Sequence, residues 1–176
     1  MTTAVAALGL EGTLDAAQQA FNQLRLLTGT DRNRAVKAMA KRLSQSFDQV
    51  LEANTLDLEI SREMAVADCL VDWLKLTPER LETTVAILNQ LAQLPDPLQR
   101  VMYAPYQLNP SQTYCQLMPL GVVGLVYEAF PELGAIAAGF CLKSGNSLIL
   151  RSCGASSHST AVICNILREG LLDVDF

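Results

Sequence analysis

Between Asp31 and Val50 the apolar residues Val36, Met39, Leu43, Phe47 and Val50 fall three or four positions apart, a spacing that gathers them on one face of a helix. Asp31 stands where it can cap that helix, and Arg32, Lys37, Lys41 and Arg42 then lie mostly on a solvated face, with a basic docking patch as the sharper alternative. A second helix is announced by Thr77, Pro78 and Glu79: an N-cap, a proline at the first helical position and an acid in the positive first turn. Leu81, Val85, Leu88 and Leu91 make its buried stripe. Beyond the Leu94–Pro97 seam the period changes. Val101 to Pro105 and Gln112 to Met118 read as extended segments joined by the turn-rich Tyr106 to Ser111, a hairpin.

The next run, Gly121 to Tyr127, is apolar without alternation and too short for a helix, as expected of a strand covered on both faces. Leu133, Ile136, Ala137, Phe140 and Cys141 return to helical spacing, Gly145 and Asn146 supply the stop, and Ser147 to Leu150 reads as a second buried strand. Strand, helix and strand together form a right-handed βαβ crossover with parallel strands. After Arg151 to Ser157 another helix follows, marked by Ile163, Ile166 and Leu167 and ending near Gly170. The expected fold class is therefore α/β: residues 1–97 mainly helical, 98–118 a hairpin, and 119–176 a βαβα unit, all within one domain.

Composition narrows the function. The chain has 176 residues, 50% hydrophobic and 18% charged, enough to bury one core. Its net charge of −5 argues against nucleic acid, which demands clustered basic residues. Five cysteines without paired spacing and a single histidine indicate neither a metal site nor a disulfide framework. With no apolar stretch of membrane-spanning length and no basic leader, the expectation is a soluble, cytoplasmic protein in a reducing compartment.

Candidate chemistry gathers in the loop after the second strand. There a strand carboxyl end meets a helix N-terminus, where open α/β sheets bind ligands and free N–H groups attract anions. Ser152, Gly154 and Ala155 are small enough for a phosphate or ribose to approach, and Arg151 adds a positive charge. Cys141 and Cys164 sit on apolar helix faces and read as packing, Cys153 lies in the loop without an identifiable base, and His158 reads as a surface or capping residue. Trp73 reads as a core or interface anchor, and Lys143 as a cation at a helix C-terminus.

The segments Pro119-Leu-Gly-Val-Val-Gly-Leu-Val-Tyr-Glu-Ala-Phe-Pro131 and Cys141-Leu-Lys-Ser-Gly-Asn-Ser-Leu-Ile-Leu-Arg151 closely resemble the γ-glutamyl phosphate reductases, or glutamate-5-semialdehyde dehydrogenases, of the aldehyde dehydrogenase superfamily. Asp31-Arg-Asn-Arg-Ala35, Glu52-Ala-Asn-Thr-Leu-Asp-Leu-Glu59, Leu76-Thr-Pro-Glu-Arg-Leu81 and Leu94-Pro-Asp-Pro97 resemble that family in the same order. The resemblance implies a partial nucleotide-binding domain and, for the whole enzyme, NADPH-dependent reduction of L-glutamyl 5-phosphate to the semialdehyde with release of phosphate, a step of proline biosynthesis. It also implies that the nucleophilic cysteine belongs to a later catalytic domain, so no catalytic residue and no turnover by this chain alone are expected.

By the same resemblance Arg151 occupies the position that contacts the adenosine ribose or its 2′-phosphate, with Ser152 and Gly154 beside it; a surface arginine at a strand end is the alternative. Three places depart from the family's pattern. Phe130, Pro131 and Glu132 stand where Arg-Pro-Asn is usual, Ser152 to Ala155 replace Gly-Gly-Ser-Glu, and Trp73 replaces an arginine. The hairpin corresponds to an oligomerisation surface, implying a homo-oligomer or another protein chain as partner. The competing expectation is a non-catalytic interaction or scaffold module built on the same fold.

Overall fold

The computed structural model describes residues 9–103 and 114–176. Five helices come first: α1 (Leu10–Leu24), α2 (Gly29–Ser44), α3 (Phe47–Glu63), α4 (Asp68–Leu74) and α5 (Pro78–Gln93). A 3₁₀ turn, Pro97–Gln99, leads to β1 (Val101–Tyr103) and β2 (Tyr114–Gln116), then β3 (Val122–Val126), α6 (Leu133–Lys143), β4 (Ser147–Arg151) and α7 (Ser157–Leu172).

The core lies where α2 meets α5 and α7. Ala35, Val36, Met39 and Leu43 of α2 are buried against Leu81, Leu88 and Leu91 of α5 and Ile163, Ile166 and Leu167 of α7. Thr77 caps α5 as its sequence suggests, its hydroxyl accepting from the Arg80 amide at 3.3 Å. Contact between α2 and α7 is backbone-close at Gly170, where a Cβ would stand 2.9 Å from the Ala38 carbonyl oxygen.

Three expectations for the first half need correction. The continuous stripe from Val36 to Val50 is divided between two helices. The Ser46 hydroxyl donates to the Arg42 carbonyl at 3.0 Å and the chain turns there before α3 resumes. A serine that bonds back to the preceding turn competes with the helical ladder, and the spacing survives the break because Val50 still reaches the core. Asp31 is not the N-cap of α2 but its third residue: Thr28 caps, and the Asp31 carboxylate accepts from the Thr28 amide at 3.1 Å in a reciprocal capping box. The Thr28 hydroxyl bond holds that carboxyl below its ordinary pKa.

Nor is Arg32 on a solvated face. It is buried; its Nη2 donates to both carboxylate oxygens of Asp96 at 2.8 Å and its Nη1 to the Leu27 carbonyl at 2.7 Å. Asp96 also accepts from the Leu98 amide, so one carboxylate pins the Leu94–Pro97 seam to α2. Lys143 is likewise buried, donating to Asn33 and to the Leu94 carbonyl, and burial pulls its pKa down.

The βαβ unit is present. β3 and β4 pair in parallel from Val122↔Ser147 to Val126↔Arg151, with α6 as the crossover. Gly145, at a φ of 75°, ends α6: its amide donates to Leu142 and that of Asn146 to Cys141, the Schellman pattern. The Asn146 side chain then accepts from the Gly121 amide at 2.9 Å, joining the starts of the two strands. The strands are less covered than their apolar sequences suggest. Gly124 and Val126 share a face of β3 and both are exposed, Val126 at 80%, because β3 and β4 make a two-stranded sheet whose covering is incomplete.

β1 and β2 form the expected antiparallel hairpin, paired from Val101↔Gln116 to Tyr103↔Tyr114. The strands as drawn from sequence, Val101–Pro105 and Gln112–Met118, run in part outside the described residues, as does all of the connection Tyr106–Ser111. Tyr114, Cys115 and Gln116 are all exposed, followed by Leu117, Met118 and Leu120. Among the described residues no helix is long and apolar enough to cross a membrane.

Removing one member of a buried ion pair strands the other. Arg32→Ala should therefore lower the free energy of unfolding by about 3–5 kcal/mol, read from urea midpoints, whereas Lys37→Ala on the exposed face should change it by less than about 0.5 kcal/mol.

Candidate functional site

The carboxyl ends of β3 and β4 open into two loops, Tyr127–Glu132 and Ser152–Ser156, tied to each other at several points. The Tyr127 amide donates to the Arg151 carbonyl at 3.0 Å, and the Cys153 thiol donates to the Glu128 carbonyl. The Tyr127 hydroxyl lies 3.5 Å from the Thr160 hydroxyl, and burial pushes the phenol pKa up. Arg151 is exposed at the strand end, Ser152 is half-buried beside it, and Gly154 is exposed with nothing within 4 Å of where a Cβ would stand. The three sequence-selected positions thus share one accessible rim.

The N-terminus of α7 is already occupied. Asp57, almost wholly buried on α3, accepts from the His158 amide at 3.1 Å and the Ser159 amide at 2.7 Å. It also receives the Ser159 hydroxyl at 2.6 Å and pairs with His158 Nδ1 at 2.8 Å. A carboxylate on those amides satisfies both the orphan donors and the positive helix end. Attraction of an anionic ligand at this loop therefore rests on Arg151 rather than on the helix.

One turn earlier on α3, Asn54 is buried too. Its amide donates to the Leu74 carbonyl at 2.9 Å and to Ser159 at 3.1 Å, while its oxygen accepts from the Leu76 amide at 2.8 Å. Asn54 and Asp57 are the residues sequence reasoning passed over. Their signal was two short polar side chains three apart inside Glu52–Glu59.

On the other loop, Phe130 adopts a φ of 60°, uncommon for a bulky side chain. Its ring stacks on Trp73 at 5.8 Å, and the Arg80 guanidinium lies 5.5 Å from its centroid. Arg80 is bound in turn by Glu132 and by the Trp73 and Lys75 carbonyls. Two positions that depart from the family pattern, Trp73 and Phe130, thus meet each other, and the added negative charge of Glu132 is paired. Trp73 is a half-exposed anchor.

Neither loop assembles a nucleophile with a base: Cys153 contacts the Glu128 carbonyl and lies 3.6 Å from the Ser156 hydroxyl. Burial raises the thiol pKa of Cys141 and Cys164, in keeping with packing roles. Among the described residues no three His, Cys, Asp or Glu side chains converge as metal ligands.

Two outcomes follow from this geometry. Asp57→Asn puts an amide where an N–H or O–H must be accepted, so it should cost about 3 kcal/mol, with hydrogen exchange faster at His158 and Ser159. At pH 8, iodoacetamide should modify exposed Cys69 and Cys115 well before Cys141 and Cys164. These two half-buried thiols hold their protons more tightly in the fold than in the unfolded chain, where a thiol ionises at about pH 8.5, so stability should be retained below that pH and decline above it.

No family model matches the chain. In sequence it is 73% identical over 175 residues to γ-glutamyl phosphate reductase 2 of Synechocystis sp., an alignment covering 99% of this chain and 42% of that protein. It superposes on the crystal structure of γ-glutamyl phosphate reductase from Thermotoga maritima with a TM-score of 0.82 and 29% identity, over 90% of this chain and 38% of the other. The structure of PnpE in complex with nicotinamide adenine dinucleotide shares the fold at a TM-score of 0.72 and 18% identity, over 92% of this chain and 31% of that one. The chain spans about two fifths of the reductases it matches, and over that length it is similar to the γ-glutamyl phosphate reductases and has the α/β fold of the aldehyde dehydrogenases.

Proposed function

We propose that this chain forms the helical layer and the first nucleotide-binding crossover of a cytoplasmic γ-glutamyl phosphate reductase, acting on L-glutamyl 5-phosphate with NADPH. The observation that carries the reading is the 73% identity to a protein of that name over nearly every residue here. NADPH would supply the hydride. On this chain Arg151, Ser152 and Gly154 would hold its adenosine end: the guanidinium is exposed, the serine adjoins it, and the space around Gly154 is open. A diphosphate does not fit at the start of α7, because Asp57 holds the His158 and Ser159 amides. The acyl-transfer and hydride steps need a thiol and base that these loops do not assemble, so turnover belongs to the rest of the reductase fold.

Calorimetry on the purified chain tests this. NADPH should bind, and Arg151→Ala should weaken it about ten- to a hundredfold, the loss of a charge-assisted bond, while NADH affinity changes little. Absence of NADPH binding by folded protein refutes the cofactor assignment, and steady NADPH-dependent turnover of the acyl phosphate by this chain alone refutes the division of labour.

A second reading is favoured by the hairpin. An isolated two-stranded ribbon is marginal in water, yet β2 exposes Tyr114 and runs on into Leu117, Met118 and Leu120, the last 90% exposed. We propose that this ribbon is covered by a second copy of the chain, whether in a reductase or in a non-catalytic module. Light scattering should show a dimer or larger species that Leu120→Asp shifts toward monomer; a monomer at all concentrations overturns it.

A further inference from the structure

We infer that the groove between α5 and α6 binds a primary alkylammonium, a short carbon chain ending in a protonated amine, through Glu132 and the threonine hydroxyls of α5. Glu132 is one of the positions that depart from the family's pattern, so the reductase reading neither supplies nor requires such a site.

A cavity of about 240 Å³ lies in this groove, lined by Glu79, Thr83, Thr84 and Ile87 of α5 and by Glu132 and Ile136 at the start of α6. Arg80 stands in its wall with its donors already committed. Its Nε donates to Glu132 Oε1 at 3.0 Å, its Nη2 pairs with the same oxygen, and its Nη1 donates to the Trp73 and Lys75 carbonyls. Those carbonyls and the Phe130 ring, 5.5 Å from the guanidinium, hold Arg80 in that pose. With both nitrogens on one carboxylate oxygen the other goes unserved: Glu132 Oε2 is buried without a hydrogen-bond partner. The Thr83 hydroxyl donates to the Glu79 carbonyl at 2.8 Å, and that of Thr84, buried, to the Arg80 carbonyl at 3.0 Å. A hydroxyl has one proton and two lone pairs, so both have only acceptor capacity left.

The unspent groups of the groove are therefore acceptors. Two carboxylates against one guanidinium leave it negative, and two isoleucines give it an apolar wall. A primary ammonium answers each feature, with three N–H donors and a positive charge on an alkyl stem. The terminal torsion of a glutamate is broad, so a small turn presents Oε2 to the ligand while Oε1 stays with Arg80. The ligand then supplies the donor whose absence is costly for a buried carboxylate. At about 30 Å³ for each heavy atom, the share of a water in the liquid, the cavity takes roughly eight, enough for n-butylammonium with water beside it. The positive starts of α5 and α6 would favour an anion, but Glu79 in the first turn of one and Glu132 at the N-cap of the other already set negative charges there. An α-amino acid fits poorly for the same reason: its carboxylate would meet Glu79 and Glu132 with Arg80 spent.

The test is titration of the full ¹⁵N-labelled chain with n-butylammonium chloride at constant ionic strength, followed by amide chemical shifts. Thr83, Thr84, Ile87 and Ile136 should shift together and saturate at millimolar ligand. n-Pentanol, of nearly the same shape but uncharged, should bind about tenfold more weakly or worse, the difference made by a charged hydrogen bond. Glu132→Gln should weaken the amine by a similar factor. Thr83→Trp, at an exposed position on the cavity wall, leaves the Arg80–Glu132 pair intact and should abolish binding while circular dichroism shows the native fold. Absence of saturable shifts in the folded chain, equal affinity for the amine and the alcohol, or binding unaffected by Thr83→Trp would each overturn the site. L-Glutamate binding there as tightly as n-butylammonium would overturn the alkylammonium assignment in favour of an amino-acid ligand. None of these outcomes bears on NADPH binding at Arg151, which is measured separately.

Discussion

A buried carboxylate governs how the two halves of this molecule meet. Asp57 rises from the helical layer and takes the His158 and Ser159 amides and the Ser159 hydroxyl in the first turn of α7, so the helix that follows β4 is oriented by a residue about a hundred positions earlier. Asn54, one turn away, adds the α4–α5 connection to the same knot. Everything at the carboxyl ends of the strands inherits this arrangement: the loop that holds Arg151 is slung between a ladder bond to Tyr127 and a helix fixed by Asp57. A charge buried this fully is tolerable because each oxygen is saturated by donors, two of them belonging to a helix N-terminus.

The same economy of buried polar groups explains which features could be read from sequence. The Thr77–Pro78–Glu79 start and the Gly145–Asn146 stop are local devices, complete within a few residues, and both appear as expected. The crossover was legible because apolar runs and turn residues alternate at lengths that only a strand–helix–strand unit satisfies. What could not be read were partnerships across long sequence gaps. Arg32 looks like any surface arginine until Asp96 is folded over it, and Asp57 looks like a solvated helix acid until α7 arrives. The division of the α2–α3 stripe was hidden for a different reason: one serine back-bond breaks the ladder while leaving the apolar spacing intact.

At the candidate site the sequence suggested positions but could not give their electrostatics. Arg151, Ser152 and Gly154 follow one another at the end of β4, whereas the positive helix end expected beside them is met by Asp57. The aromatic pair Trp73–Phe130 was visible only as two separate departures from a pattern. The structure makes them one feature, with Arg80 and Glu132 as its polar border.

The contact at Gly170 has a reach beyond its own surroundings. Because the α7 backbone rests there on the Ala38 carbonyl, the axial position of the helix is set near its far end. Thirteen residues at 1.5 Å each put the start of α7 about 20 Å away. The height of the Arg151 loop above the sheet is therefore levelled from the opposite side of the domain, much as a beam is trimmed at its remote support, and a side chain added at position 170 would be felt at a loop it never touches.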